Sequence, residues 1–221
     1  MISQKQGPEA GFTLVELLVV IAIIAVMGGF GITMLMSARE QGDDFAVQGF
    51  IQSVDATLEQ YKNDRRIGVY PPSSLDGFAG LGSQKNRTNQ GIEALVVALN
   101  SPNFKATRVL EAFEGEESVL QMDNLDGDRS AKNLTIHGTR ELFEILDPWG
   151  NPFVYFNAND YAKAGIGKYM VMSEENGEYE VTAVRPWKNP KTQSFFRLDS
   201  FQLFSAGPDM KFNTDDDIGN W

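Results

Sequence analysis

The chain has 221 residues, a formal net charge of −11 at pH 7 and no cysteine. This length accommodates one ordinary domain together with a membrane segment, because domains usually contain about 100–200 residues. The net negative charge repels the phosphate backbone of nucleic acids, so binding of nucleic acid is not expected. Without cysteine an exported domain has no disulfides, and a metal ion or packing within an oligomer would have to supply comparable cross-links.

The inventory of reactive side chains argues against an enzyme. His137 is the only histidine, and with no cysteine in the chain, Cys–His dyads, zinc clusters and the HExxH metalloprotease motif are excluded. No nucleophile-elbow motif lies near His137. The acidic residues are numerous, but nothing in their spacing selects a pair for hydrolysis. We therefore expect a protein without enzymatic activity.

A long apolar segment covers residues 12–36, where Glu16 is the only ionisable side chain. As a helix this segment is about 37 Å long, which is enough to cross a hydrocarbon core of about 30 Å. A cleaved secretory signal would need a basic start, a shorter apolar core and a small-residue cleavage site after that core. The sequence therefore predicts a single membrane-spanning helix over residues 12–36, preceded by a short polar stretch over residues 1–11.

The junction between these two stretches reads Gly11-Phe12-Thr13-Leu14-Val15-Glu16. A carboxylate inside a spanning helix costs about 2.5 kcal/mol or more, so Glu16 is expected to have a function. The motif resembles the class III signal of type IV pilins and type II secretion pseudopilins. That resemblance implies cleavage by prepilin peptidase between Gly11 and Phe12, N-methylation of Phe12, and pairing of Glu16 with the α-amine of a neighbouring subunit. The alternative is a plain single-pass anchor whose Glu16 lies at the headgroup level without a role.

Apolar residues recur at three- and four-residue steps beyond the membrane segment and so share one helical face. They are Val47, Phe50, Ile51, Val54, Leu58 and Tyr61. This stripe predicts that the membrane helix continues as an amphipathic helix packed on a sheet. A second helix is predicted over residues 91–100, and a short one near residues 139–146.

Short runs with strand-like composition dominate the second half of the chain. They cover residues 153–156, 169–172, 179–184 and 201–204. Asn176-Gly177 lies between the second and third runs and predicts a β-hairpin. A long helix followed by antiparallel strands predicts an α+β fold. In that fold the long N-terminal helix, with a membrane half and an amphipathic half, packs on a small C-terminal antiparallel sheet.

Later stretches extend the resemblance to the major pseudopilins of type II secretion. They are Tyr70-Pro71 with GIEALV at 91–96, DPWGNPF at 147–153, and SAGPD at 205–209 with DDDIGNW at 215–221. The resemblance implies a pilin-like fold with a leader peptide at 1–11, a transmembrane and filament-core helix at 12–36, and a periplasmic globular domain at 37–221.

The same resemblance implies a function and a location. The chain would be a single-pass protein of the bacterial inner membrane that assembles into a homo-oligomeric periplasmic filament and promotes protein export. Its implied partners are prepilin peptidase, minor pseudopilins, and an inner-membrane assembly platform with its ATPase. The alternative is a type IV pilus major or minor pilin, or an adhesin-like subunit, whose insertions at 73–89, 101–133 and 187–197 contact a ligand.

The end of the chain is rich in oxygen ligands of the kind that Ca²⁺ prefers. Asp209 follows a Gly207-Pro208 turn, and residues 215–217 are three consecutive aspartates, so a loop of this size can close around one ion. The resemblance implies an ordered loop in which Asp209, Asp215 and Asp217 supply side chains and Leu203 and Ser205 supply main-chain carbonyls, and Asp216 could replace either neighbour. The alternative is a solvated acidic tail.

The run Asp123-Asn124-Leu125-Asp126-Gly127-Asp128 is a weaker candidate for an ion site. An EF-hand loop requires oxygen-bearing residues at its first, third and fifth positions, and Leu125 occupies one of these positions. The sequence therefore does not predict an EF-hand there.

Overall fold

The structure is a computed structural model, and it describes residues 14–78, 85–102, 104, 120–136, 138–163, 165–173 and 175–221. Gly11, Phe12 and His137 lie outside the described residues, as do 105–119 within the predicted insertion. The chain divides into two compact units, residues 1–42 and 43–221. Among the described residues, no helix combines the length and the apolar character needed to cross a membrane.

The predicted long N-terminal helix is confirmed as helix α1, Leu14–Asn63. In the second unit its apolar stripe forms the core, because Val47, Phe50 and Val54 are fully buried. The ring of Phe50 lies 4.7 Å from the ring of Phe153, which directly precedes a strand of the central sheet. Burial of one such side chain stabilises the fold by about 1.5–3 kcal/mol, so packing fixes this half of the helix on the sheet.

The strands are short and antiparallel. They are β1 (Gln121–Asp123), β2 (Glu144–Leu146), β3 (Val154–Asn157), β4 (Lys168–Met172), β5 (Tyr179–Ala183), β6 (Phe201–Ser205) and β7 (Ile218–Gly219). Among the described residues they form a central sheet in the order β3-β6-β7 and two smaller pairs, β1-β2 and β4-β5. The α+β prediction is therefore confirmed, and the four predicted strand runs divide between the central sheet, as β3 and β6, and the separate pair of β4 and β5.

The predicted β-hairpin is confirmed as strands β4 and β5. Gly177 in its turn has φ +69°, a left-handed conformation that favours glycine. In the register Met170 lies opposite Val181. The Asn-Gly pair between two strand-like runs was therefore a sufficient signal for this element.

The second predicted helix is helix α2, Gln90–Leu99, which is almost entirely buried. Gly91 lies against strand β3, and a Cβ there would overlap the Tyr155 carbonyl and the Tyr169 hydroxyl. That hydroxyl accepts a hydrogen bond from the Tyr155 amide at 3.1 Å. The absence of a side chain at Gly91 thus lets α2 approach the central sheet closely.

The short helix predicted near residues 139–146 is wrong, because the end of that stretch forms strand β2. Its backbone pairs with β1, and the Ile145 carbonyl accepts a hydrogen bond from Phe153 at 2.9 Å. Nearby, the Ser130 amide donates to the Arg140 carbonyl at 2.8 Å. Since each backbone group forms few hydrogen bonds, these non-local partners displace the helical ones. Strand β1 itself lies within the predicted insertion at 101–133, for which no strand was predicted.

Candidate functional site

The N-terminal motif reaches the described residues only at its end. Glu16 lies in the first turn of helix α1, whereas Gly11 and Phe12 precede the described residues. Around Glu16 the helix exposes apolar side chains at nearly consecutive positions, from 45% exposed at Val20 to 79% at Leu14. Consecutive positions point in all directions around a helix, so every side of this segment is apolar. An apolar surface of this kind is typical of a segment that contacts lipid or other protein chains.

The C-terminal acidic loop connects β6 to β7, and its Asp216 closes it. The Asp209 amide donates to Asp216 Oδ2 at 3.0 Å, and the Thr214 hydroxyl donates to Asp216 Oδ1 at 2.6 Å. Gly207 has φ +69°, and a Cβ there would overlap the Asp216 carbonyl. The two ends of the loop are therefore held together by local hydrogen bonds and by a close backbone approach.

Asp217 is half-buried in this loop and retains one oxygen without a partner. Its Oδ2 accepts hydrogen bonds from Trp187 Nε1 at 2.6 Å and from the Asn213 amide at 2.9 Å. Its Oδ1 is buried and has no hydrogen-bond partner. Burial raises the pKa of Asp217 to about 6. An unpaired buried oxygen of this kind fits an oxygen ligand of a cation.

The other predicted ligands of the loop are spread around it. Asp215 is exposed, and Asp209 Oδ1 accepts from the Lys211 amide at 2.7 Å. The Leu203 carbonyl accepts from the Asn220 amide at 3.2 Å, and the Ser205 hydroxyl donates to Asp147. The aspartates of this loop do not form a cluster of three or more carboxylates with mutually close oxygens. The predicted calcium ligand set therefore stays a prediction.

Another acidic group is brought together in the interior of the second unit. Among the described residues, Glu93, Asp126 and Glu144 are the acidic side chains that offer three oxygens within 4.8 Å of one another. Glu93 comes from helix α2, Asp126 from the loop after β1, and Glu144 from β2. These carboxylates could hold a metal ion, and the sequence did not predict their association.

Neighbouring amides orient two members of this acidic group. Glu144 Oε1 accepts from Asn89 Nδ2 at 2.8 Å, and its Oε2 accepts from the Leu125 amide at 3.0 Å. Asp126 Oδ2 accepts from Asn86 Nδ2 at 2.7 Å. Donors aimed at both oxygens of Glu144 favour its ionised form, because a carboxylate is an acceptor only.

Glu93 differs, because no donor group is directed at either of its buried oxygens and its side chain is 0% exposed. Burial, followed by the negative charges of Asp128 and Glu144, raises the pKa of Glu93 well above its ordinary value. Burial also raises the pKa of Glu144 to about 7 and that of Asp128 to about 7. Without a counter-ion these carboxyls therefore keep their protons to a higher pH than exposed carboxyls do.

The sequence missed this group because its members are far apart along the chain. In the sequence Asp123, Asp126 and Asp128 belong to one local run, whereas in the structure Asp126 lies beside two glutamates from other elements. A weak signal existed in Glu93, which is the only charged residue of the otherwise apolar helix α2. Charged residues are almost never fully buried unless they are paired, so such a position indicates a buried partner without identifying it.

The N-terminal motif and most of the chain are similar to known proteins. Residues 8–32 match the family described as the prokaryotic N-terminal methylation motif. The chain is 27% identical over 213 residues to the Type II secretion system core protein G of Escherichia coli (strain K12), covering 96% of this chain and 91% of that protein. It is 25% identical over 185 residues to the protein of the same name from Pseudomonas aeruginosa, covering 84% of this chain and 99% of that protein.

A third relative is named as a component of a pilus. The chain is 41% identical over 91 residues to the Type IV wide pilus major component PilA4 of Thermus thermophilus, which covers 41% of this chain and 67% of that protein. No solved structure matches the chain. The methylation motif and the coverage of these relatives agree with the resemblance carried by residues 11–16 and by the later stretches. The chain therefore belongs to the family of type IV pilins and type II secretion pseudopilins.

Proposed function

We propose that the chain is a structural subunit of a type II secretion pseudopilus that is processed by prepilin peptidase and promotes protein export. The observation that carries this proposal is similarity to proteins named Type II secretion system core protein G over 96% of this chain and 91% of the Escherichia coli relative. The methylation motif at residues 8–32 supports processing of the N-terminus. The proposed role is mechanical and includes no catalytic step.

The N-terminal helix is the proposed assembly element. Before assembly, residues 12–36 would anchor the chain in the bacterial inner membrane, with residues 37–221 in the periplasm. After assembly, the same residues would pack in the centre of the filament, which would cover the apolar side chains that α1 exposes on all sides. Glu16 would pair there with the α-amine of a neighbour's Phe12, because two opposite charges in an apolar core neutralise each other and fix the register.

The proposed partners follow from this role. Prepilin peptidase would remove residues 1–11, minor pseudopilins would join the same filament, and a membrane platform with its ATPase would supply the work of assembly. Addition of subunits at the inner membrane would push exported proteins outward. The relatives named as core proteins of a type II secretion system support a filament built together with other proteins of such a system.

Calcium is the proposed ligand of the C-terminal loop. The side chains of Asp209, Asp215 and Asp217 and the carbonyls of Leu203 and Ser205 would bind it, and Asp216 could replace a neighbour. Support comes from the buried and unpartnered Oδ1 of Asp217. The ion would balance adjacent carboxylates and keep the loop closed where no disulfide can do so.

A type IV pilus subunit is the second candidate function. It is favoured by one observation, the 41% identity to the Thermus thermophilus pilus component over 91 residues. The two candidates share processing and helix-mediated assembly, and they differ in whether the filament is needed for export.

Deletion of the gene in the bacterium that encodes the chain separates the two candidates. Loss of protein export, restored by the wild-type gene, is expected for the pseudopilus subunit. Imaging of filaments that contain a tagged chain should find it at nearly every subunit position. Unchanged export together with loss of surface pili would refute the pseudopilus and support the pilus subunit.

A further inference from the structure

Among the described residues, Glu93, Asp126 and Glu144 form no ion pair with a basic side chain. The ion pairs found among the described residues join other partners, such as Arg129 with Glu141 at 2.8 Å. Burial of several carboxylates without a counter-ion is strongly unfavourable, because desolvation penalises the charged form. Something must therefore neutralise the group in the folded protein, either a proton or a bound cation.

The geometry favours a cation over a shared proton. Glu144 accepts hydrogen bonds at both oxygens, which favours its ionised form. No donor is directed at the two buried oxygens of Glu93, one of which lies within 4.8 Å of an oxygen of Asp126 and of Glu144, and Asp128 Oδ1 is likewise buried without a partner. One shared proton would satisfy a single pair of these oxygens, whereas a cation accepts several of them at once.

The donors are all carboxylate oxygens, which hard cations such as Ca²⁺ prefer. Ligand oxygens on opposite sides of a Ca²⁺ ion lie about 5 Å apart, since each bond is about 2.3–2.6 Å long. The oxygens offered here lie within 4.8 Å of one another. Mg²⁺ demands a nearly ideal octahedron with bonds of about 2.0–2.1 Å and gives up its waters reluctantly, so a ligand set built from carboxylates of three separate elements suits calcium better.

We propose that Glu93, Asp126 and Glu144 bind a Ca²⁺ ion, with Asp128 as an additional ligand. This interior site is separate from the C-terminal loop and does not depend on it. It joins helix α2, the loop after β1 and strand β2, three elements that are distant in sequence. The ion therefore ties the inserted segment that contains β1 to the body of the second unit, as a disulfide does in other exported domains.

The test counts calcium ions bound per full-length chain in detergent by titration calorimetry after removal of metal with chelator. Glu93→Gln is the informative variant, because no donor is directed at Glu93 and the new amide can donate to Glu144. It should bind one calcium ion fewer per chain than the wild type. It should also melt no lower than the wild type in chelator, since a buried amide needs neither a proton nor a cation to neutralise it. Asp123→Asn, at the end of strand β1, exposed and outside the acidic group, is the matched control and should bind the wild-type number.

Equal calcium binding by Glu93→Gln and the wild type would overturn the proposal. Shared protons would then be what neutralises the acidic group. If near-UV circular dichroism shows that Glu93→Gln is not folded, Asp126→Asn provides the same count. Asp217→Asn, measured in parallel, tests calcium binding by the C-terminal loop alone. The two sites are therefore tested independently, and a negative result for one does not affect the conclusion for the other. Full competition by equimolar Mg²⁺ for the ion that Glu93→Gln loses would overturn the assignment to calcium.

Discussion

The close approach of helix α2 to the central sheet predicts that Gly91→Ala destabilises the fold. A Cβ at this position would overlap the Tyr155 carbonyl and the Tyr169 hydroxyl, both of which are buried. Relief of the overlap requires either a shift of α2 or rotation of the Tyr169 ring. Rotation would break the hydrogen bond that its hydroxyl accepts from the Tyr155 amide at 3.1 Å.

The expected change in the free energy of unfolding combines two costs and one gain. Overpacking a core costs about 1–3 kcal/mol. A buried polar group left without a partner costs about 1–3 kcal/mol more. Alanine in place of glycine regains up to about 1 kcal/mol of helix propensity. The expected net loss is about 3 kcal/mol, or about 6–12 °C in the melting temperature of a chain of this size.

Gly49→Ala is the matched control for this substitution. Gly49 lies in helix α1, is exposed, and a Cβ there would meet nothing within 4 Å. The same chemical change should therefore raise the melting temperature by about 1–4 °C, because only the propensity term acts. The comparison is made by thermal melts of the two full-length variants, monitored by near-UV circular dichroism. If Gly91→Ala melts at or above the wild-type temperature, α2 does not pack on Tyr155 and Tyr169 as described.

The remaining predictions concern processing, assembly and calcium. The mature chain should begin at methylated Phe12, and an intact mass that retains residues 1–11 in a host with prepilin peptidase would contradict this. Glu16→Leu should insert in the membrane normally but yield few filaments, since the pairing with the neighbour's amine is lost; a wild-type filament yield would rule out the pairing. Chelation should lower the melting temperature, because calcium at 100 times its Kd stabilises the folded state by about 2.7 kcal/mol. Asp209→Ala and Asp217→Ala should reduce that response, and equal melting of the unmutated chain in calcium and in chelator would support the acidic-tail interpretation.

The elements that the sequence predicted are those specified by local patterns. The apolar stripe from Val47 to Leu58 has helical spacing and is buried as expected. The Asn176-Gly177 turn determined the hairpin, since few residues other than glycine adopt its left-handed backbone. Local periodicity and turn chemistry act within a few residues, and a single sequence therefore records them directly.

The features that the sequence missed depend on contacts between distant segments. Strand β2 replaced a predicted helix because its hydrogen-bond partners lie in β1 and near Phe153. The acidic group combines residues 93, 126 and 144, whose proximity arises only when α2, β1 and β2 pack together. The three residues are too far apart along the chain to form a local motif. In the sequence, each of them alone resembles an ordinary surface carboxylate.

Strand β5 lies at an open edge of its sheet, because among the described residues it pairs with β4 alone. Its unpaired backbone groups are a template for pairing with another chain. In the proposed filament, neighbouring domains would be held at a high effective concentration, which favours such pairing. Residues 180–183 of the strand are exposed, and Glu180 on β5 with Glu178 just before it would bring like charges together if two edges met. This repulsion would keep contacts between subunits on the helices and away from the sheets.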